Sequence, residues 1–215
     1  MEINILGGGP EELLPDLSEF QQNGNLWVGV DRGVYTLLSK GITPFMAFGD
    51  FDSVTADELK EIEKHVHDLK KFKAEKDETD MELALNWALR QRPEKIRLFG
   101  ATGGRLDHFL ANVQLLLKPV LRNIELNIEI IDKKNHISIK SPGSYEMKIR
   151  NDRKYVSFIP MSPFVKGLTL EGFKYPLKDH SIPMGSTLCV SNELISDYGT
   201  FSFSEGILMV IRSQD

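Results

Sequence analysis

Residues 26–50 read LWVGVDRGVYTLLSKGITPFMAFGD, and this stretch decides the fold. Leu26 to Val30 form a short apolar run that ends on an acid, Asp31, in the manner of a buried strand. The helical segment GVYTLLSK follows and stops at Gly41, a residue type suited to the left-handed turn that closes a helix. FMAF is then a second strand, and it too runs into acids, Asp50 and Asp52 on either side of Phe51. A strand, a helix and a strand in succession make parallel neighbours joined by a crossover.

The alternation continues in both directions. Upstream, INIL is a strand that ends in Gly7-Gly8-Gly9-Pro10. Downstream, Thr55 and Glu58 have capping-box spacing for the helix ADELKEIEKHV, and a short strand is expected near LKKFKA. Thr79 and Glu82 repeat that spacing before a helix with Leu83, Trp87 and Arg90 along one face. KIRLFGA is a strand, TGGRLDH a glycine-rich turn, and DHFLANVQLLL a helix closed by Pro119. Residues 1–122 are therefore expected to form an α/β domain, an open and mainly parallel sheet with helices on both faces. In such sheets ligands bind outside the carboxyl ends of the strands.

From residue 123 to 215 the pattern changes to short runs of period-two alternation, such as HISIK, KYVSFIP and TFSFSEGILMVIRS, separated by turn clusters. This half reads as an all-β sandwich.

Composition narrows the function classes. The 215 residues are 41% hydrophobic and 27% charged, with a net charge of −5 and no basic run longer than a lysine pair. That excludes an electrostatic nucleic-acid footprint. No apolar run approaches the ~18 residues a membrane span needs, and the start MEINILGGGPEE has no signal-peptide pattern. The single cysteine, Cys189, makes no internal disulfide, so a cytoplasmic protein is expected.

Acids mark the predicted strand ends: Asp31, the pair Asp50 and Asp52, the pair Asp77 and Asp80, and Asp107. Two carboxylates about 4 Å apart repel by about 4 kcal/mol at an effective dielectric of about 20, so a cation is expected beside the D-x-D. Converging carboxylates suit magnesium, which takes oxygen ligands and shares them with substrate phosphates. Turns and helix caps use the same residue types. The clusters GGGP, with Gly8 and Gly9, and GATGGR, with Thr102 and Gly103, can bring backbone N–H groups to phosphate oxygens or serve only as tight turns. Arg105 is the natural cation to face a phosphate, or else a surface ion-pair partner. Residues 50–54 also satisfy the D-x-D-x-[TV] motif of haloacid-dehalogenase-type phosphatases, with Asp50 as nucleophile.

A wider pattern favours a metal clamp. GVDRG, FGDFDS, KDETDMELAL and GATGGRLDHFLANVQLL, in this order and spacing, resemble the catalytic domain of the thiamine pyrophosphokinase family. GLTLEGFKYPL followed by GSTLCVSNE is similar to the C-terminal substrate domain of that family. The resemblance implies a homodimer with active sites at the subunit interface, which transfers the pyrophosphoryl group of ATP to thiamine and releases AMP. It further implies that Asp50 and Asp52 are magnesium ligands, with Asp80 and Asp31 completing the acidic site. Arg105 is implied to contact phosphate, and Gly8, Gly9, Asp77, Thr102, Gly103 and Asp107 to lie at the nucleotide. Ser191 and Asn192 match a Ser-Asn pair near thiamine, contributed by the other subunit, and Tyr175 stands where some relatives have tryptophan.

Overall fold

The computed structural model describes residues 1–52, 54–66, 69–71 and 77–215. It divides into two compact units, Met1–Lys133 and Lys134–Asp215.

The first unit is built on strands β1 (Glu2–Leu6), β2 (Leu26–Val30), β3 (Met46–Gly49), β4 (Leu69–Lys71), β5 (Lys95–Phe99) and β6 (Asn127–Ile131). Their order is β6-β5-β1-β2-β3-β4, and every pairing is parallel. The helices are α1 (Arg32–Ser39), α2 (Ala56–His65), α3 (Asp80–Arg90), α4 (Leu106–Leu115) and α5 (Lys118–Leu121). Gly41 takes the left-handed turn after α1, with φ of 72°.

Several local expectations change. The strand within IELNIEIID was expected to open the β half, but it pairs in parallel with β5 and belongs to the first unit. The boundary therefore falls after Lys133 rather than after residue 122. Helices α4 and α5 supply the crossover that a parallel neighbour requires. Pro119 sits in the first turn of α5, where a missing N–H costs nothing, and so opens a helix instead of closing α4. The buried face of α3 is Met81, Ala84, Leu85 and Ala88; Leu83 and Trp87 are half-buried. Of the strand expected near LKKFKA, residues 72–74 lie outside the described residues. Two short 3-10 turns, Glu11–Leu13 and Leu17–Phe20, carry no sequence period. The second sets the Phe20 ring edge-on to Phe99 at 4.8 Å, extending the apolar cluster of Leu6, Trp27, Leu37 and Phe99.

The second unit holds β7 (Asn135–Lys140), β8 (Gly143–Lys148), β9 (Tyr155–Pro160), β10 (Phe164–Glu171), β11 (Leu177–Pro183), β12 (Asn192–Glu193), β13 (Tyr198–Phe203) and β14 (Leu208–Ser213). They form two antiparallel layers, β12-β9-β14-β7 and β11-β10-β13-β8. Alternate residues of both layers meet in one core, with Val156, Phe158, Leu208 and Val210 from one and Val165, Leu168, Phe201 and Phe203 from the other. This is the expected sandwich. Cys189 is buried in the same core, and burial pushes its thiol pKa up, as for a structural cysteine. Among the described residues, no helix is long and apolar enough to cross a membrane.

Candidate active site

Parallel register brings two of the acidic strand ends together. Val30 pairs with Phe48, so Asp31, next along the chain, stands opposite Gly49 and donates its backbone N–H to the Phe48 carbonyl at 2.9 Å. Its backbone is left-handed, with φ of 50°, a strained geometry for a residue with a side chain. The carboxylate fills the space a side chain at position 49 would take: a Cβ added to Gly49 would lie 2.2 Å from Asp31 Oδ1. Glycine at 49 thus makes room for Asp31 immediately before Asp50.

The D-x-D loop carries its own partial answer to charge repulsion. The backbone N–H of Asp52 donates to Asp50 Oδ1 at 3.1 Å. Between them Phe51, with φ of 59°, is buried in the apolar cluster of Val34, Ala47, Ile62 and Val66. The aromatic residue is the anchor of the loop, and Asp50 stays half-buried while Asp52 is exposed. Among the described residues no basic side chain forms an ion pair with either carboxylate, so the cation expected beside the D-x-D is not a side chain of these residues. The motif's Ser53 lies outside the described residues.

A helix start follows this loop. Thr55 and Glu58 form the full capping box at the start of α2. Glu58 also pairs with Arg32 Nη2 at 3.3 Å. Arg32 lies beside the first glycine loop, since a Cβ on Gly8 would be 3.5 Å from Arg32 Cβ. The sequence reading did not single out Arg32, although GVDRG contains it; its nearness to Gly8 is a tertiary fact. Asp80 is the first residue of α3, which packs on β1, β2 and β3. The adjacent Met81 reaches the end of β1, where a Cβ on Gly7 would meet its Cε at 2.8 Å. Asp77 is exposed in the preceding loop.

The glycine loops are locked to each other. Gly9 donates its N–H to the Gly100 carbonyl at 3.0 Å, and a Cβ there would sit 2.6 Å from that oxygen. The Gly9 amide is therefore committed within the protein. Thr102 is buried and its hydroxyl donates to Asp132 Oδ2 at 2.7 Å, while Asn112 on α4 donates to the Ala101 carbonyl at 3.0 Å. Asp132 and Asn112 hold this loop from distant parts of the chain. Gly103, with φ of 76°, packs against Leu13.

Arg105, at the N-cap of α4, forms a two-pronged pair with Asp107, Nε to Oδ1 at 3.1 Å and Nη2 to Oδ2 at 2.5 Å. Both side chains are largely exposed. The guanidinium holds the Asp107 carboxyl down to about 2, and the carboxylate in turn raises Arg105.

In the second unit, Ser191 is exposed and left-handed, with φ of 57°, and its N–H donates to Ser157 Oγ at 3.0 Å. Asn192 is only 2% exposed, whereas Tyr175 is 58% exposed. Nearby, Lys174 and Lys154 both pair with Glu193, at 3.1 and 3.2 Å, which lowers the Glu193 pKa.

Among the described residues no three His, Cys, Asp or Glu side chains form a ready metal cage. Asp31 and the D-x-D loop nonetheless offer an all-oxygen donor set on adjoining strand ends. That fits magnesium, which keeps part of its shell for water and substrate phosphate.

Comparison with known proteins gives the family. Residues 17–128 match the model of the thiamin pyrophosphokinase catalytic domain, and residues 144–208 that of the thiamin pyrophosphokinase vitamin B1 binding domain. The chain is 54% identical to the thiamine pyrophosphokinase of Bacillus subtilis (strain 168), over 99% of both chains. It resembles the crystal structure of thiamine pyrophosphokinase from Bacillus subtilis with a TM-score of 0.94 and 53% identity, over the whole of both chains. The thiamin pyrophosphokinase structure from Geobacillus thermodenitrificans gives a TM-score of 0.90 and 54% identity, over 100% of this chain and 98% of that one. The phosphatase reading of Asp50 gains no support from these matches. With both of its domains matched, the chain belongs to the thiamine pyrophosphokinase family, whose members are transferases.

Proposed function

We propose that this chain transfers the pyrophosphoryl group of ATP to the hydroxyethyl oxygen of thiamine in a magnesium-dependent reaction that yields thiamine diphosphate and AMP. The observation that carries the reading is the seating of the Asp31 carboxylate against Gly49, directly before the D-x-D loop, in a chain with both family domains. Asp50 and Asp52 would hold the metal, with Asp31 and Asp80 completing the acidic site. When bound, magnesium neutralises phosphate oxygens and the charge that develops on them.

The protein's own work is positioning. Arg105 exchanges its exposed partner Asp107 for a phosphate oxygen, and Asp107 and Asp77 orient that end of the nucleotide. The loops at Gly8, Thr102 and Gly103 shape the phosphate cradle through their backbone, Gly9 tying the first loop to the second through the Gly100 carbonyl and the Thr102 hydroxyl being held by Asp132. Asp31 or Asp80 orients the thiamine hydroxyl and takes its proton as the oxygen attacks the β-phosphorus. Ser191, Asn192 and Tyr175 form the thiamine side, contributed by the second subunit of a cytoplasmic homodimer.

Chromatographic separation of the nucleotides after incubation with ATP, thiamine and magnesium tests the reading. AMP and thiamine diphosphate are expected; ADP with thiamine monophosphate would overturn pyrophosphoryl transfer. Asp52→Asn is expected to lower kcat by about 100-fold or more with an unchanged melting temperature, and near-normal turnover would remove its metal role.

A further inference from the structure

We infer that Asn192 is a positioning residue whose side-chain carboxamide replaces main chain in a short ladder and so fixes Tyr175; the inference rests on the reading of Tyr175 as a thiamine contact.

The ladder is visible one step at a time. Phe173 pairs with Leu194 in an antiparallel bridge, and the Lys174 N–H donates to the Glu193 carbonyl at 2.8 Å. Antiparallel register then sets Tyr175 opposite Asn192. At that step the Asn192 main chain is committed elsewhere, paired with Val156 on β9. The side chain takes over: Tyr175 N–H donates to Asn192 Oδ1 at 3.0 Å, and Asn192 Nδ2 donates to the Tyr175 carbonyl at 2.8 Å. This is the exchange of two hydrogen bonds that a paired backbone residue would make. The same Oδ1 accepts the Glu193 N–H at 2.9 Å.

Two features show why this matters at Tyr175. The next residue is Pro176, which has no N–H, so the ladder cannot be supported from the far side. The ring itself is largely exposed, with Lys174 Nζ over its face at 5.6 Å. Asn192, by contrast, is buried and its amide oxygen and nitrogen both face backbone partners. Its part on the thiamine side thus includes holding the tyrosine in place.

A double-mutant cycle tests the inference on the full-length enzyme. Tyr175→Ala and Asn192→Ala should each raise the thiamine KM about tenfold while the ATP KM stays within about twofold. The double variant should be no worse than Tyr175→Ala alone. Additive effects, or an unchanged thiamine KM in Asn192→Ala, would overturn the positioning role. If Tyr175→Ala itself leaves the thiamine KM unchanged, the thiamine reading of Tyr175 fails instead, and this inference falls with it. Should Asn192→Ala not fold, amide exchange in the wild-type enzyme decides: the Tyr175 N–H is expected to be protected although the residue is exposed, and exchange at the rate of a free amide refutes the clamp.

Discussion

At the residue scale, the acidic site depends on a glycine that bears no chemistry. Gly49→Ala would drive a methyl group to 2.2 Å from Asp31 Oδ1 at a φ of 152° that side chains rarely adopt. The carboxylate must move, and in the role proposed for Asp31 a displacement of about 1 Å can cost about 100-fold in rate. We expect that loss in kcat, measured beside a melting curve to separate it from unfolding. Arg105 and Asp107 give a second test. The Asp107 pKa is lowered from 3.8 to about 2, so the pair persists above the ordinary carboxylate pKa and is lost as pH falls through about 2. Carbon-detected NMR titration should place the Asp107 midpoint near 2, returning to the ordinary range in Arg105→Ala. Identity and order of these acids were readable in the chain. The D-x-D hydrogen bond was not, because it depends on Phe51 being buried as an anchor rather than exposed between two charges.

At the scale of elements, α1 begins where it does because Gly33 lets the helix touch the end of β1. A Cβ at that position would be 2.1 Å from the Leu6 carbonyl oxygen and 2.8 Å from that of Gly7, both rigid backbone atoms. Gly33→Ala is expected to cost about 2 kcal/mol or more, read as a lower urea midpoint. Capping signals were legible: Thr55 and Glu58 make both bonds of their box, whereas at α3 Thr79 accepts from the Glu82 N–H. Such signals work because their partners lie three residues apart. Pro119 is ambiguous for the complementary reason, since proline suits the first turn of a new helix as well as the end of an old one, and only the following turn distinguishes them.

At the scale of the whole molecule, the second unit relies on a single aromatic core. Phe201 stacks on Tyr145 at 4.9 Å and tilts against Phe158 at 5.1 Å. Phe201→Ala is expected to cost about 3–5 kcal/mol, a large share of the roughly 5–15 kcal/mol that stabilises a domain. Hydrogen exchange should rise first in β8, β10 and β13, and unchanged protection there would refute that dependence. The sequence by itself determined the alternation of strands and helices in the first unit, the antiparallel character of the second, and the acids Asp31 and Asp50 at strand ends, whereas Asp80 and Asp107 fall within helix starts. Those features follow from periodicities and caps carried by contiguous residues. Only tertiary structure decided that the strand Asn127–Ile131 belongs with the parallel sheet, that Asp31 shares space with Gly49, and that the Asn192 amide holds Tyr175. Each of these depends on register between segments far apart in the chain, and register is fixed by pairing and packing that no local window contains.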